Sequence, residues 1–543
     1  MVEFIISSIL PWLITIFFVL MIVFLFYKIP AIAKYVTKNL RVFLLLIFVV
    51  LIGAYLRFAS SPDIHRVYYD EDRYLSYAVA FARFNQVRNI EFATLDKVII
   101  GKPDQVARVT VPLINGWMLK LFGYSENVLF KGAKLFSTLQ IILIFICALL
   151  FFRQSSIALI ASLLLALFPS AIFWSTSTVL DPYFVTFSLI SFIGAVLYAR
   201  QPSRINAFFL LMSIFILLFV RLESVLFLAV LGLSILAIRS HEKIPLITKK
   251  DAFFISALLL LIVGRGVLSV SVIGQTWCCG ESTPLETFRP TYFIRHILLN
   301  LRDLFMRPEV PWSISATSLA VILGVKDLRV RALGGWLLLY FTLYSSYYAG
   351  RFFDYQFSGS YGRFFLMLMT PLIMLTSYGI LIFLNWLRVQ QLNDRIKYSI
   401  IAIILTAISL YPTIRNYTTL IRTSPYEKLT ESRSIEFHNY LEQKFINKIP
   451  KNAVVIHSLT GYTLLKGHPS IYIGSIYDNT EVGEYLVKSL KKGVPIYSVG
   501  EYLCDVSPQK CRHFTPFLTF NPVNIPDASK NIELQYMKLE LKK

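Results

Sequence analysis

The sequence predicts a polytopic α-helical membrane protein of about twelve transmembrane helices, with interfacial helices in its first outer loop and a small extracytoplasmic α/β domain at its C-terminal end. Three observations predict this class. The 543 residues are 56% hydrophobic and only 16% charged, where a soluble chain carries about 25% charge. Apolar runs of spanning length recur as far as residue 413. Lys and Arg gather in alternate connections between those runs. The same composition excludes disorder, a collagen-like fibre and a small disulfide scaffold.

The runs lie near 4–27, 42–58, 135–152, 157–174, 183–199, 205–220, 223–238, 252–270, 312–325, 332–349, 364–387 and 398–413. A spanning helix takes about 20 apolar residues, so short runs such as 312–325 need help from their flanks. The first run reads as an uncleaved anchor, because no small-residue cleavage site follows it. Runs 205–220 and 223–238 make a hairpin with almost no loop.

Charge sets the orientation. One set of connections holds Lys28, Lys34, Lys38 and Arg41, then Arg153, then Arg200 and Arg204. It continues with Arg239, Lys243, Lys249 and Lys250, then Lys326, Arg329 and Arg331, then Arg388, Arg395 and Lys397. These are the cytoplasmic loops. Segment 175–182 has no Lys or Arg, and the tight hairpin has only Arg221. Both termini and the segments 59–134, 271–311 and 351–363 are then extracytoplasmic. The net charge of +21 reflects topology and attraction to anionic lipid or phosphate, and calls for no nucleic acid.

The chain divides after the last run into a transmembrane domain, 1–413, which contains the first outer loop 59–134, and an extracytoplasmic α/β domain, 414–543. In the second, N-A-V-V-I-H-S-L at 452–459 and S-I-Y-I-G at 470–474 read as strands, and E-V-G-E-Y-L-V-K-S-L at 481–490 as a helix. Cys147 falls in a span as packing. Cys504 and Cys511 suit a disulfide in an oxidising compartment. Cys278 and Cys279 are adjacent, and the cysteine spacing is not that of a zinc site. Asn416-Tyr417-Thr418 is a glycosylation sequon. His65, His296, His457 and His468 form no metal-binding pattern, so no metal ligand is assigned and a divalent metal is left open.

The first outer loop carries the chemistry. Asp70, Glu71 and Asp72 follow a span by a few residues. Behind them Tyr74, Ala78 and Phe81, and Leu75, Val79 and Ala82, keep helical spacing, as in an amphipathic helix lying in the interface. Asp70 then stands at or near the helix N-terminus. Two readings are compatible there: a cap that suits the positive end of the helix, or a general base held rigidly at the membrane surface.

D-E-D-R-Y-L-S-Y-A at 70–78 resembles the D-E-x-R-Y segment of bacterial lipid A aminoarabinose transferases and the D-E pair of protein O-mannosyltransferases. Both belong to the GT-C superfamily of polyprenyl-phosphate-sugar glycosyltransferases, and the second to the glycosyltransferase family 39-like group. V-P-L-I-N-G-W-M-L-K-L-F-G-Y-S-E at 111–126 resembles the family's P-P-L-x-Y-W…F-G-x-S-E. V-L-D-P-Y-F-V at 179–185 is a third mark, and G-R-F-F-L-M-L-M-T-P at 362–371, similar to R-Y-L-L-P-L-x-P, a fourth. Thr110-Val111-Pro112 stands where the family often has Lys-Pro-Pro, and the nearest cation is Arg108. An Arg commonly follows the S-E, where this chain has Lys131 or Lys134.

The resemblance implies a GT-C-like fold and an inverting, single-displacement transfer from a dolichyl- or undecaprenyl-phosphate sugar. The acceptor would be a glycan, lipid or protein. Asp70 would deprotonate the acceptor, and Glu71 would orient Asp70 or a metal. Arg108, Arg351, Arg363 and Lys131 would hold the donor phosphate, since cations stabilise the charge that develops on it and Arg grips phosphate through paired hydrogen bonds. Snorkelling to lipid headgroups is the competing account of the arginines. Tyr69, Asp72, Tyr74, Trp117 and Asp181 would line the substrate pocket. The aromatics also suit membrane anchoring, and Asp181-Pro182 suits a helix start. Arg221 and Glu223 read as a local ion pair. Two alternatives stand beside this reading. An oligosaccharyltransferase-like enzyme would carry W-W-D-Y-G, which is absent from the tail. A transporter or lipid flippase would place polar groups mid-span.

Overall fold

The computed structural model describes residues 2–63, 65, 68–103, 108–273, 289–307, 310–347, 363–389, 447, 449–457, 459–472, 475, 480–500, 518–522 and 535–541. Most of them are helical. Helices α1 (Leu10–Lys38), α2 (Leu40–Tyr55) and α3 (Tyr68–Phe84) lead to the strands β1 (Asn89–Ala93) and β2 (Val98–Lys102), then α4 (Thr110–Phe122). There follow α5 (Glu126–Phe152), α6 (Ser155–Ala166), α7 (Pro169–Phe173), α8 (Leu180–Arg200), α9 (Arg204–Leu218) and α10 (Ser224–His241). The rest of the helical layer is α11 (Lys249–Ile273), α12 (Pro290–Met306), α13 (Trp312–Gly324), α14 (Leu328–Ser345) and α15 (Leu366–Val389).

Each apolar run from 4 to 387 overlaps one or more of these helices, while residues 348–349 and run 398–413 lie outside the described residues. Seven described helices are long and apolar enough to cross a membrane, or eight if a pair bent by 56°, Ser155–Ala166 with Pro169–Thr176, is one span. They are the helices of an integral membrane protein. The expected twelve include α9 and α13, which are apolar but shorter than a span. The bend has a local cause. Pro169 opens α7, and Phe168 before it is extended at φ −72°, ψ 119°, as the residue preceding a proline prefers. Local chemistry also sets helix starts. The Ser125 hydroxyl accepts from Asn127 N at the head of α5, and the Asp327 carboxylate from Arg329 N at the head of α14.

The α/β elements are β3 (Val454–His457), α16 (Thr460–Leu465), β4 (Ser470–Tyr472), α17 (Thr480–Lys491), β5 (Ile496–Gly500), β6 (Leu518–Pro522) and β7 (Gln535–Leu541). Their strands join the first outer loop in one sheet, ordered β2-β1-β4-β3-β5-β7-β6. β3 runs parallel to β4 and β5, and β1 pairs antiparallel with β4 through Phe92 and Ile471. Alternation along β3 divides two cores. Val454 and Ile456 pack with Phe92, Ile471, Val482 and Leu486 on the α17 side. Val455 packs with Leu75, Val79 and Tyr462 on the α3 side.

Helix α3 therefore has no wet face along its middle. Tyr74, Tyr77 and Phe81 join the core of the helical bundle, while Leu75, Ala78, Val79 and Ala82 join the core beneath the sheet. The expected interfacial helix is instead sandwiched, because α16 and β1 cover the side that water or headgroups would have met. Ile90 N donates to the Ser76 hydroxyl and Thr460 Oγ1 to Ile90 O, both at 2.8 Å. Gly461 permits the closeness of this packing. A Cβ there would meet Ser76 N at 2.5 Å and Ser76 Cα at 2.7 Å.

Candidate active site

The first turn of α3 carries Asp70 and Glu71, and the two carboxylates face different partners. Asp70 Oδ2 accepts from Arg363 Nη2 at 2.7 Å, with the Asp70 side chain 35% exposed. Glu71 is fully buried. Its Oε1 accepts from the Ser177 hydroxyl and from Thr178 N, each at 3.0 Å. Its Oε2 lies 3.1 Å from His65 Nδ1, and His65 Nε2 lies 2.9 Å from Glu126 Oε1. Glu71 thus ties α3 to the segment that enters α8, while Asp70 points to the cationic side.

A chain of ion pairs extends from Asp70. Arg363 Nε lies 3.6 Å from Asp181 Oδ2, too far for a hydrogen bond. That buried nitrogen has no hydrogen-bond acceptor among the described residues. Asp181 is also paired with Arg221 Nη1, and Arg221 Nε meets Glu223 Oε1 at 2.5 Å. The Tyr344 hydroxyl donates to the same Glu223 oxygen at 3.1 Å. The Phe364 ring is met by both guanidinium groups, at 5.3 Å by that of Arg363 and at 5.2 Å by that of Arg221. Arg265, on α11, donates to Leu218 O and Arg221 O and so fixes the turn between α9 and α10. Arg108 lies over the Tyr74 ring at 5.7 Å.

These charges set the titration of α3. Burial by itself would raise the Asp70 carboxyl, but the Arg363 guanidinium, aided by Arg108 and Arg73, holds it below the ordinary carboxylate range. Burial pushes Asp72 the other way, up to about 8, against the Tyr462 N–H and the nearby His65. Burial disfavours a charged His65, yet its two carboxylate partners prevail and raise it to about 10.

Asp70, Arg108, Tyr74, Asp181 and Arg363, each singled out from sequence, come together here. Others lie elsewhere. Asp72 faces α16 and accepts from Tyr462 N at 3.3 Å. Trp117 packs against Trp12 and Phe81 and donates its indole N–H to Thr15, in the contact between α4 and α1. Lys131 is exposed. Its neighbour Lys134 is buried instead and bonds Ser61 O at 2.8 Å and Asp63 at 2.5 Å. Arg351, the Tyr69 side chain, Cys278, Cys279, Cys504, Cys511 and the sequon at Asn416 lie outside the described residues. Cys147 is buried and donates to Leu189 O. Asp181 is not a cap. Helix α8 starts at Leu180 after Val179, and the carboxylate is taken by Arg221.

Three participants escaped the sequence reading. Arg221 reaches Asp181 as well as its local partner Glu223. Arg265 sits inside an apolar run, where an isolated arginine was the available signal. His65 bridges Glu71 and Glu126, the acids of the first and second marks. Among the described residues no three His, Cys, Asp or Glu side chains gather as a metal site. Glu71, the acid assigned to orient Asp70 or a metal, already accepts from a hydroxyl, a backbone N–H and an imidazole.

No protein-family model matches the sequence, and no curated protein does. Solved structures do match. ArnT from Cupriavidus metallidurans in the apo state superposes with a TM-score of 0.54 at 14% identity, covering 91% of this chain and 97% of that one. The same protein bound to undecaprenyl phosphate gives 0.54 at 13% identity with the same coverage. The apo oligosaccharyltransferase of Archaeoglobus fulgidus gives 0.51 at 11% identity, over 86% of this chain and 70% of that chain.

The chain has the GT-C fold. The four sequence marks of GT-C resemblance are in contact within it. Tyr183 of the third mark donates to Asn115 of the second at 2.8 Å. Glu126 of the second reaches Glu71 of the first through His65. Arg363 of the fourth meets Asp70 of the first and Asp181 of the third.

Proposed function

We propose that this GT-C chain is a glycosyltransferase that moves a sugar from a polyprenyl-phosphate donor to an acceptor at the extracytoplasmic membrane surface, with inversion and with Asp70 as general base. The observation that carries this reading is the pairing of a partly exposed Asp70 with Arg363, whose Nε is buried and has no hydrogen-bond acceptor among the described residues. Buried donors are normally satisfied. A phosphate oxygen is the acceptor that suits a guanidinium. Undecaprenyl phosphate is what the similar ArnT is recorded as binding.

The residues divide the work as follows. Arg363, with Arg221 and Arg108 close by, holds the donor phosphate. Once Arg363 turns to phosphate, Asp70 loses the cation that keeps its affinity for protons low, and becomes a stronger base. It takes the proton of an acceptor hydroxyl or amine while that heteroatom attacks the anomeric carbon. The bond from that carbon to the phosphate oxygen breaks, and the electron pair leaves on polyprenyl phosphate, where the arginines stabilise it. Asp181 and Glu223 hold Arg221 in place, and Glu71 fixes the segment leading to Asp181.

The test is transfer from a panel of labelled polyprenyl-phosphate sugars to native membrane extract, with wild type and Asp70→Asn side by side. Transfer by wild type that disappears in Asp70→Asn, with donor binding retained, is the expected result. Equal transfer by both proteins would remove Asp70 from the chemistry.

A further inference from the structure

We propose that α12 is a membrane-surface helix, lying flat on an anionic lipid leaflet at the end of the bundle that carries Asp70 and Arg363. The proposal does not depend on the transferase reading. Its basis is an amphipathic helix packed the opposite way from one in water. Ile294, Leu298 and Met306 are 73%, 74% and 75% exposed, and Leu301 and Phe305 are exposed beside them. His296, Asn300 and Asp303 are buried, beside Leu304, which joins the bundle core.

The buried polar side is built into the protein. His296 Nδ1 lies 3.2 Å from Ser345 O, Asn300 donates to the Ser345 hydroxyl at 2.9 Å, and Arg289 N donates to Ser346 O at 3.0 Å. Those partners end α14 and adjoin Tyr344, which bonds Glu223 in the site. Satisfying a polar face inside while turning isoleucine and leucine outward requires an apolar medium outside.

The charges give the orientation. At about 100° per residue, Ile294, Leu298, Leu301 and Phe305 fall within about 60° of arc. Arg295 and Arg302, both exposed, form a stripe roughly 80–100° around from Ile294. Polarity therefore changes around the helix and not along its axis. A spanning helix would bury one of those arginines at depth. A helix parallel to the surface keeps both at headgroup level with the apolar stripe in the acyl boundary. Two cations at that level select anionic headgroups.

The test uses the full chain in nanodiscs of phosphatidylcholine, alone or mixed with phosphatidylglycerol. A bimane on Leu298→Cys reports the surroundings of the apolar stripe, and unsubstituted protein labelled in parallel provides the signal of native cysteines for subtraction. Leu298 and Arg295 are exposed. Arg302 is exposed too but pairs with the buried Asp303 at 3.4 Å, a carboxylate that Arg307 also meets at 3.3 Å. Arg307 therefore keeps a cation on it in the double variant, and an unchanged thermal midpoint checks that the packed side is intact. The expected result is stronger quenching by a lipid nitroxide near the headgroup than by one near the chain end, with little quenching by iodide. Phosphatidylglycerol should increase the lipid quenching, and the double variant Arg295→Glu/Arg302→Glu should lose that increase. Iodide quenching without lipid quenching would overturn the proposal in favour of a water-facing helix. Quenching by neither would overturn it in favour of a covering protein copy. Stronger quenching near the chain end would overturn the flat orientation, and an undiminished phosphatidylglycerol effect in the double variant would overturn the role of anionic lipid.

Discussion

Arg363 Nη2 donates to Asp70 Oδ2 at 2.7 Å, across 293 positions of sequence. The pair joins the first turn of α3 to the residues just before α15, and it does two opposed things to Asp70. It fixes the carboxylate in place, and it suppresses its affinity for protons. Asp70→Asn keeps the shape and one acceptor oxygen while removing the base. The expected outcome is a loss of turnover of about 10²–10⁴-fold, with polyprenyl-phosphate binding retained. Single-turnover transfer and direct titration of the lipid check the two halves.

Arg363→Gln should act on binding first. Losing a charged hydrogen bond is worth about 1.5–3 kcal/mol, so affinity for polyprenyl phosphate should fall on the order of 10–100-fold. Calorimetric titration in detergent measures it. A binding constant unchanged by the substitution would place the phosphate elsewhere.

The same pair predicts a difference between two pH profiles. The profile of kcat/KM reports the free enzyme and that of kcat the bound complex. In the free enzyme Arg363 lowers the Asp70 carboxyl, so the acidic limb of kcat/KM lies below the usual carboxylate value. In the complex Arg363 is shared with phosphate, the lowering is relieved, and the acidic limb of kcat moves to higher pH. In Arg363→Gln the limb of kcat/KM should move to higher pH as well, because burial of the carboxyl then loses its strongest opponent. Limbs that coincide in the wild type would show that Arg363 does not change partners.

Legibility followed the range of the interaction. Apolar runs marked the helices because lipid-facing and core positions are both apolar, and the strands at 454–457 and 470–472 showed as short β-branched stretches. Asp70 and Arg363 were readable through their motifs. The hairpin of β1 and β2 was missed, since its two five-residue strands give a weak period, and their place beside β4 is a long-range pairing. The role of Arg221 was half legible. Glu223 lies two residues away, whereas Asp181 comes from another helix and appears only when α8 packs beside the α9–α10 turn. Trp117 misled because an aromatic near the membrane surface packs a core as readily as it lines a pocket.

Stability should fall as pH rises through neutrality, and two buried groups on the α3 side set the slope. Asp72 titrates near 8 in the folded chain and near about 3.9 unfolded. Unfolding therefore releases its proton between those values, and stability drops as pH rises from about 4 to about 8. His65 is raised to about 10. Its contribution is full below about 6.5 and is lost as pH rises through its folded value. Asp72→Asn keeps an oxygen for Tyr462 N–H and removes the first linkage. It should match wild type near pH 4 and exceed it increasingly up to pH 8, by on the order of a few kcal/mol. Thermal midpoints across pH 4–9 check it, and an unchanged slope would remove Asp72 from the account.

The contact between α16 and α3 gives the last prediction. Gly461 sits where a Cβ would meet the backbone of Ser76 at 2.5 and 2.7 Å and the Leu75 carbonyl carbon at 3.1 Å. Backbone cannot rotate aside as a side chain can, so Gly461→Ala must push the two helices apart. That movement would stretch the bond from Tyr462 N to Asp72 and loosen the cover over Leu75 and Val79. Overpacking of this kind costs about 1–3 kcal/mol. Because α3 carries Asp70 in its first turn, the displacement should also reach turnover, although Gly461 lies two turns of α3 from the carboxylate. The expected outcome is a lower thermal midpoint with a smaller loss of kcat than in Asp70→Asn, and with lipid-phosphate affinity close to wild type. A variant whose midpoint is unchanged would show that the sheet is not seated on α3 through this contact.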